Sequence, residues 1–244
     1  MIRQFLTDDN LVVPAVSREK MEQIDFLATT ATGLQLVQMM ENAGRSLAEL
    51  SLQLMGSGAL KTRILVLAGG GNNGCGGICA ARHLHNRGLT VAVWQATPPA
   101  TPACEQQWRI YQAAGGEQLG ESQLHNFRPR LIIDALIGYR LQGEPRWHLQ
   151  SVLEWASQHR AFKLALDVPT GVDATTGETP GNYLRADATL TLALPKSGLL
   201  PHLAGNLFLA DIGIPPAVFQ KAGITYQSPF AGRFVVPLLP FPEP

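Results

Sequence analysis

Along most of this chain, short apolar runs alternate with stretches of helical period. The runs at 64–68, 90–94, 131–135, 163–168 and 188–194 each have the length of a buried strand. Between most of them lie segments at 78–87, about 103–114 and 148–159 whose pattern predicts helices. Ahead of the first strand, Ser17 is placed to cap a helix reaching about Ala31, and beyond the Thr32-Gly33 break a second helix is predicted from about Leu34 to Met55. Strand and helix in regular alternation predict an α/β fold, a doubly wound, mostly parallel sheet with helices on both faces. Weaker runs at 207–210 and 233–236 are candidate edge strands. From Pro237 the chain reads Pro-Leu-Leu-Pro-Phe-Pro-Glu-Pro, and repeated proline predicts neither helix nor interior strand. The pattern therefore divides into a single domain over residues 1–236 and a Pro-rich tail or linker stub over 237–244.

Composition narrows the function. With 45% hydrophobic and 16% charged residues, the chain can bury a large core. A formal charge of zero, without any basic run, excludes the electrostatic footprint of a nucleic-acid binder and points to small-molecule partners. No stretch approaches the roughly 18 apolar residues of a membrane span, and Asp8 and Asp9 close behind Leu6 are unlike a signal peptide, so the expected location is cytoplasmic. Cys75, Cys79 and Cys104 lack zinc-type spacing and are expected as buried free thiols; the scattered histidines predict no metal site.

In an open α/β sheet, chemistry gathers beyond the carboxyl ends of the strands. After the first run comes Gly69-Gly70-Gly71-Asn72-Asn73-Gly74-Cys75-Gly76-Gly77, a glycine-rich turn into a helix of the kind that cradles phosphate on backbone N–H groups. It is not a P-loop, because Ile78 and Cys79 stand where lysine and a hydroxyl residue would follow. Gly69, Gly71 and Gly74 spell the dinucleotide fingerprint, yet the next strand ends in Gln95 rather than in an acid for a ribose hydroxyl. Tight packing of a βα turn is the plainer alternative for these glycines. Two later runs end in Asp134 and in Asp167, the latter followed by Val-Pro-Thr170. Carboxylates on adjacent strand tips repel unless something positive lies between them, and a monovalent cation held by Asn73, Asp134 and Thr170 is the simplest answer. Asp167 is then free to meet substrate and handle protons.

Several words in this order resemble the NAD(P)H-hydrate epimerase family, the YjeF N-terminal domain: 40–45 (Met-Glu-Asn-Ala-Gly-Arg), 71–74 (Gly-Asn-Asn-Gly), 80–84 (Ala-Ala-Arg-His-Leu), 133–138 (Ile-Asp-Ala-Leu-Ile-Gly), 166–173 (Leu-Asp-Val-Pro-Thr-Gly-Val-Asp), and Leu194-Pro195-Lys196 with Gly198-Leu199. The resemblance spans nearly the whole chain. It implies a three-layer Rossmann-like fold, commonly a homodimer, that interconverts the R and S forms of hydrated NADH and NADPH as metabolite repair, supplying a separate NAD(P)H-hydrate dehydratase. It implies substrate contacts at Asn72, Asn73, Gly74, Cys75 and Gly76, at Gly138, Tyr139, Arg140, Leu141, Gln142, Gly143 and Glu144, and at Asp167, the expected catalytic residue. It also implies one K⁺ per subunit on Asn73, Asp134 and Thr170.

The departures from the family pattern matter as much. Cys75 and Gly76 replace glycine and aspartate, which removes one expected substrate-loop carboxylate. Tyr139 and Arg140 replace Thr-Gly after Gly138, and two bulky side chains there either block the pocket or, through Arg140, grip a phosphate. A non-catalytic nucleotide-binding or scaffold relative is the alternative function. Glu41 and Asn42 either line the site or tie the N-terminal helix down.

Overall fold

A computed structural model describes residues 3–241. Its frame is a ten-stranded sheet made of β1 (Gln4–Thr7), β2 (Val12–Pro14), β3 (Arg63–Ala68), β4 (Thr90–Gln95), β5 (Glu117–Gln118), β6 (Leu131–Ala135), β7 (Phe162–Leu166), β8 (Ala188–Leu192), β9 (Asn206–Ala210) and β10 (Val235–Pro240). The spatial order is β2-β1-β10-β9-β8-β7-β6-β3-β4-β5. From β9 to β5 every neighbouring pair is parallel, while β10, β1 and β2 add antiparallel strands at one end. The chain leaves β3 toward β4 on one side and returns to β6 on the other. The strand order therefore reverses between β3 and β6, where ligands of such sheets bind.

Helices cover both faces, as the alternation of buried side chains requires. Ile64, Val66, Val91 and Ile133 face α1 (Arg18–Thr32), α2 (Leu36–Met55), α3 (Asn72–His85), α4 (Pro102–Ala113) and α8 (Pro216–Lys221). Leu65, Leu67, Ala92 and Ile132 face α6 (Gln150–Gln158) and the short α5 (Glu121–Leu124); α7 (Pro201–Ala204) leads into β9. Ser17 caps α1 as expected, its side chain accepting from the Lys20 N–H. No helix among the described residues is long and apolar enough to cross a membrane.

Two expectations are corrected. The helix expected from residue 78 begins at Asn72, so the glycine-rich stretch forms its first turns rather than a loop. The reason is proximity: a Cβ on Gly74 would lie 1.7 Å from the Gly69 carbonyl oxygen, and one on Gly77 2.4 Å from the Ala135 Cβ. Bare backbone lets α3 press onto the strand ends, which overrides the poor helix propensity of glycine. The expected tail is also a strand as far as Pro240, paired with β9 and then with β1. Pro237 has a ladder partner only in β9 and Pro240 only in β1, so each proline stands where one side of the strand is unladdered and its missing N–H costs little. Residues 242–244, the rest of that tail, lie outside the described residues.

Candidate active site

Three turns meet at the reversal of strand order. The first runs from β3 through Gly69 and Gly70 into α3, whose cap Gly71 offers no side chain, leaving the first N–H groups of the helix for solvent or an anion. The second follows β6, and the third follows β7 with Asp167 held at φ +70°, a left-handed conformation that a non-glycine residue adopts at a cost.

Asp134 is fully buried, and both of its oxygens accept hydrogen bonds. Its Oδ1 accepts from the Thr170 hydroxyl at 2.7 Å and the Leu136 N–H at 3.2 Å, and its Oδ2 accepts from the Thr170 N–H at 2.7 Å. Burial raises its pKa, against the lowering effect of these hydrogen bonds. Thr170 Oγ1 also accepts from the Ile137 N–H at 3.1 Å. Asn73 reaches the same turn: with its amide oriented to satisfy both neighbours, its oxygen accepts from the Gly138 N–H and its nitrogen donates to the Leu166 carbonyl, both at 3.3 Å. Asn73, Asp134 and Thr170 thus surround the turn 136–138.

Asp167 has a different partner. Lys196 donates to Asp167 Oδ1 and to the Leu192 carbonyl at 2.9 Å, and its side chain is 1% exposed. The positive charge beside Asp167 is therefore a lysine, which corrects the argument that a cation must lie between the two carboxylates. Asp167 Oδ2 accepts from the Tyr139 N–H at 2.8 Å. Between them Gly138 leaves a notch too narrow for a side chain: a Cβ there would stand 2.8 Å from Asp167 Oδ2 and 3.1 Å from the Asn73 amide.

Beside the notch is a cleft of about 380 Å³, whose wall includes Gly69, Gly70, Ile137, Arg140, Arg146 and His148. Leu141, Gln142 and Glu144 line it too, and Gly143 turns the chain between them with φ +69°. The Arg140 side chain is 59% exposed and does not plug it. Tyr139 is turned away, its hydroxyl donating to Asp25 on α1 at 2.6 Å.

Cys75 and Gly76 are both buried in α3, and a Cβ on Gly76 would meet the Leu166 side chain at 2.8 Å. Gly74 is buried against Gly69 and contributes only backbone. The three cysteines are free and buried, as expected. Asn42 ties α2 down by donating to the Ile212 carbonyl at 3.2 Å, and Glu41 binds Arg82, His83 and Gln107 across α2, α3 and α4. Arg82 stands among Glu41, Cys79 and His83, so this cluster is already neutralised by a guanidinium.

The family model described as YjeF-related protein N-terminus matches residues 36–198. A relative from Dehalogenimonas lykanthroporepellens, named NAD(P)H-hydrate epimerase, is 43% identical over 240 residues, 98% of each chain. This chain belongs to the YjeF N-terminal family. A second member of the family named NAD(P)H-hydrate epimerase, from Truepera radiovictrix, is 36% identical over 86% of this chain and 94% of its own. One from Hyperthermus butylicus is named bifunctional NAD(P)H-hydrate repair enzyme; it is 38% identical over 75% of this chain, a stretch that spans 36% of that relative. The solved structure of yeast ynu0, YNL200c, superposes with a TM-score of 0.80 over 92% of this chain and all of that one; at 22% identity the likeness shows the family's fold.

Residue words alone left Lys196 without a role and gave no notice of Asp25. A signal for the first was present: Lys196 is the only Lys, Arg, Asp or Glu between Asp187 and Asp211. A lone charge in an apolar stretch calls for a buried partner.

Proposed function

We propose that this chain is an NAD(P)H-hydrate epimerase that interconverts the R and S forms of hydrated NADH and NADPH. The observation that carries the reading is the Gly138 notch, where Asp167 and Asn73 converge beside a cleft edged by Arg140, Arg146 and His148. An anionic dinucleotide suits that edge and the uncapped start of α3. With the hydrated ring at the notch, the C6 hydroxyl takes a proton through Asp167 and leaves as water. The ring nitrogen lone pair stabilises the resulting cation, and the carboxylate lies close to it. Water then adds back to either face and returns the proton. Asp167 is the catalytic residue, and Lys196 holds its other oxygen.

Asn73, Asp134 and Thr170 are the proposed holders of one K⁺ per subunit. Their amide, carboxylate and hydroxyl oxygens suit a hard cation, and all three surround the same turn. Such an ion would supply positive charge beside the turn and brace it. A homodimer, a cytoplasmic location and hand-over of the S form to a dehydratase complete the reading.

One observation favours the alternative of a non-catalytic nucleotide binder: Asp167 is 3% exposed and Tyr139 stands next to it. Chromatographic exchange between the R and S hydrates of NADH decides between them. Acceleration over the spontaneous rate, lost in Asp167→Asn, is expected; exchange at the spontaneous rate would sink the enzyme reading.

A further inference from the structure

Tyr139 is the neighbour of Asp167 whose side chain the proposed reaction leaves without a task, yet it is tied at several points. Its N–H donates to Asp167 Oδ2 at 2.8 Å, and its ring centre lies 5.5 Å from Lys196 Nζ. Its hydroxyl donates to Asp25 Oδ2 at 2.6 Å and accepts from Arg140 Nε at 3.1 Å. Asp25 sits on α1, outside the residues that the family model matches, and its side chain is 24% exposed. A phenol donating to a carboxylate makes a strong, charge-assisted bond, and an aromatic ring near a buried ammonium offsets part of its lost hydration.

We propose that Tyr139 is a positioning residue for Asp167 and Lys196, and that Asp25 of α1 sets it in place. The proposal rests on the reading of Asp167 as the proton-handling group. Lys196 holds one carboxylate oxygen and the residue 139 N–H holds the other, so the aim of Asp167 at the Gly138 notch depends on where the backbone of 138–139 lies. That turn is past the end of β6 and has no ladder to fix it. Its anchors are side chains: Thr170 on the Ile137 N–H, Asn73 on the Gly138 N–H, and the Asp25 carboxylate on the Tyr139 hydroxyl. Cutting the last frees the ring and lets residue 139 drift, while of the cleft wall Arg146 and His148 are untouched and Arg140, which donates to the same hydroxyl, loses one partner. Turnover therefore suffers more than affinity.

The test uses Tyr139→Phe, Asp25→Leu and Asp25→Asn. It reads R/S exchange kinetics and, separately, acylation of Lys196 by acetic anhydride against exposed Lys221, followed by mass spectrometry. Tyr139→Phe and Asp25→Leu are expected to lower kcat about tenfold, to raise KM by no more than about twofold, and to raise Lys196 acylation several-fold. Asp25→Asn, which keeps an oxygen for the phenol, retains most of the wild-type values. Wild-type kcat in the first two variants, or a loss that Asp25→Asn does not rescue, overturns the proposal. Should the unmutated protein fail to accelerate exchange, the functional reading fails and acylation alone decides. Raised labelling of Lys196 in Tyr139→Phe then supports the positioning role, and unchanged labelling overturns it. Tyr139→Phe keeps the ring volume, so it carries the test if Asp25→Leu does not fold.

Discussion

Lys196 and Asp167 form an ion pair sealed inside the protein, their side chains 1% and 4% exposed. Two charges withdrawn from water are tolerated only together, and removing one strands the other. Lys196→Met is therefore expected to destabilise the fold by about 3–5 kcal/mol in urea unfolding. A loss below about 1 kcal/mol, the worth of an exposed pair, would show that the carboxylate finds solvent.

At Gly138, activity and stability should separate. An alanine Cβ would stand 2.8 Å from Asp167 Oδ2 and push that carboxylate off its present aim. Gly138→Ala is expected to lower epimerisation by about a hundredfold or more while shifting stability by less than about 2 kcal/mol, since the turn is only part-buried and its φ is not left-handed. An active Gly138→Ala enzyme would place the reacting atoms elsewhere.

The cation assignment predicts a thermal shift. Exchanging choline for K⁺ at constant ionic strength, to about 100 times its Kd, adds about 2.7 kcal/mol and raises Tm by several degrees in a domain of this size. Thr170→Ser keeps the hydroxyl and should keep the shift, while Thr170→Val should lose it. An equal response in all three proteins would remove the ion from Asn73, Asp134 and Thr170.

Acid unfolding should carry a signature of Glu41. Burial pushes its pKa up, but hydrogen bonds from Arg82, Gln107, His83 and Cys79 outweigh that and bring it to about 2, against an ordinary 4.5. A carboxylate with a depressed pKa stabilises the fold above its unfolded value and loses that contribution as pH falls through the folded one. At 40% exposure the contribution is screened to about 1 kcal/mol. Glu41→Gln should flatten the loss of stability between pH 4.5 and about 2 in denaturant titrations; an unchanged slope would assign the acid transition to other groups.

Strand positions were legible because a parallel strand buried on both faces is a continuous apolar run: 64–68 and 131–135 are β3 and β6 within a residue. The start of α3 was not, because six glycines in nine residues carry loop propensity and only tertiary contact, Gly74 on the Gly69 carbonyl, makes a helix of them. β10 was legible only at its start, in the run 233–236, and its proline-containing remainder reads as a tail for a related reason. Proline forbids a ladder bond, but whether the opposite strand reaches that residue is set by register and not by the residue itself. The strand-end rule found Asp134, Asp167 and Thr170. It could not find Lys196 or Asp25, which enter from a later turn and from an N-terminal helix: Lys196 shows only as a lone charge in an apolar stretch, and the apposition of Asp25 to Tyr139 across 114 residues leaves no local pattern.

The pairing of β1 with β10 sets a timetable for synthesis. Among the described residues, β1 and β2 join the rest of the sheet only through a strand ending at Pro240. These two strands must therefore wait, laddered only to each other, until residues 235–240 have emerged. Deleting 235–240 would maroon the β1–β2 hairpin and bare the outer edge of β9, so β10 is the latch on which that hairpin depends.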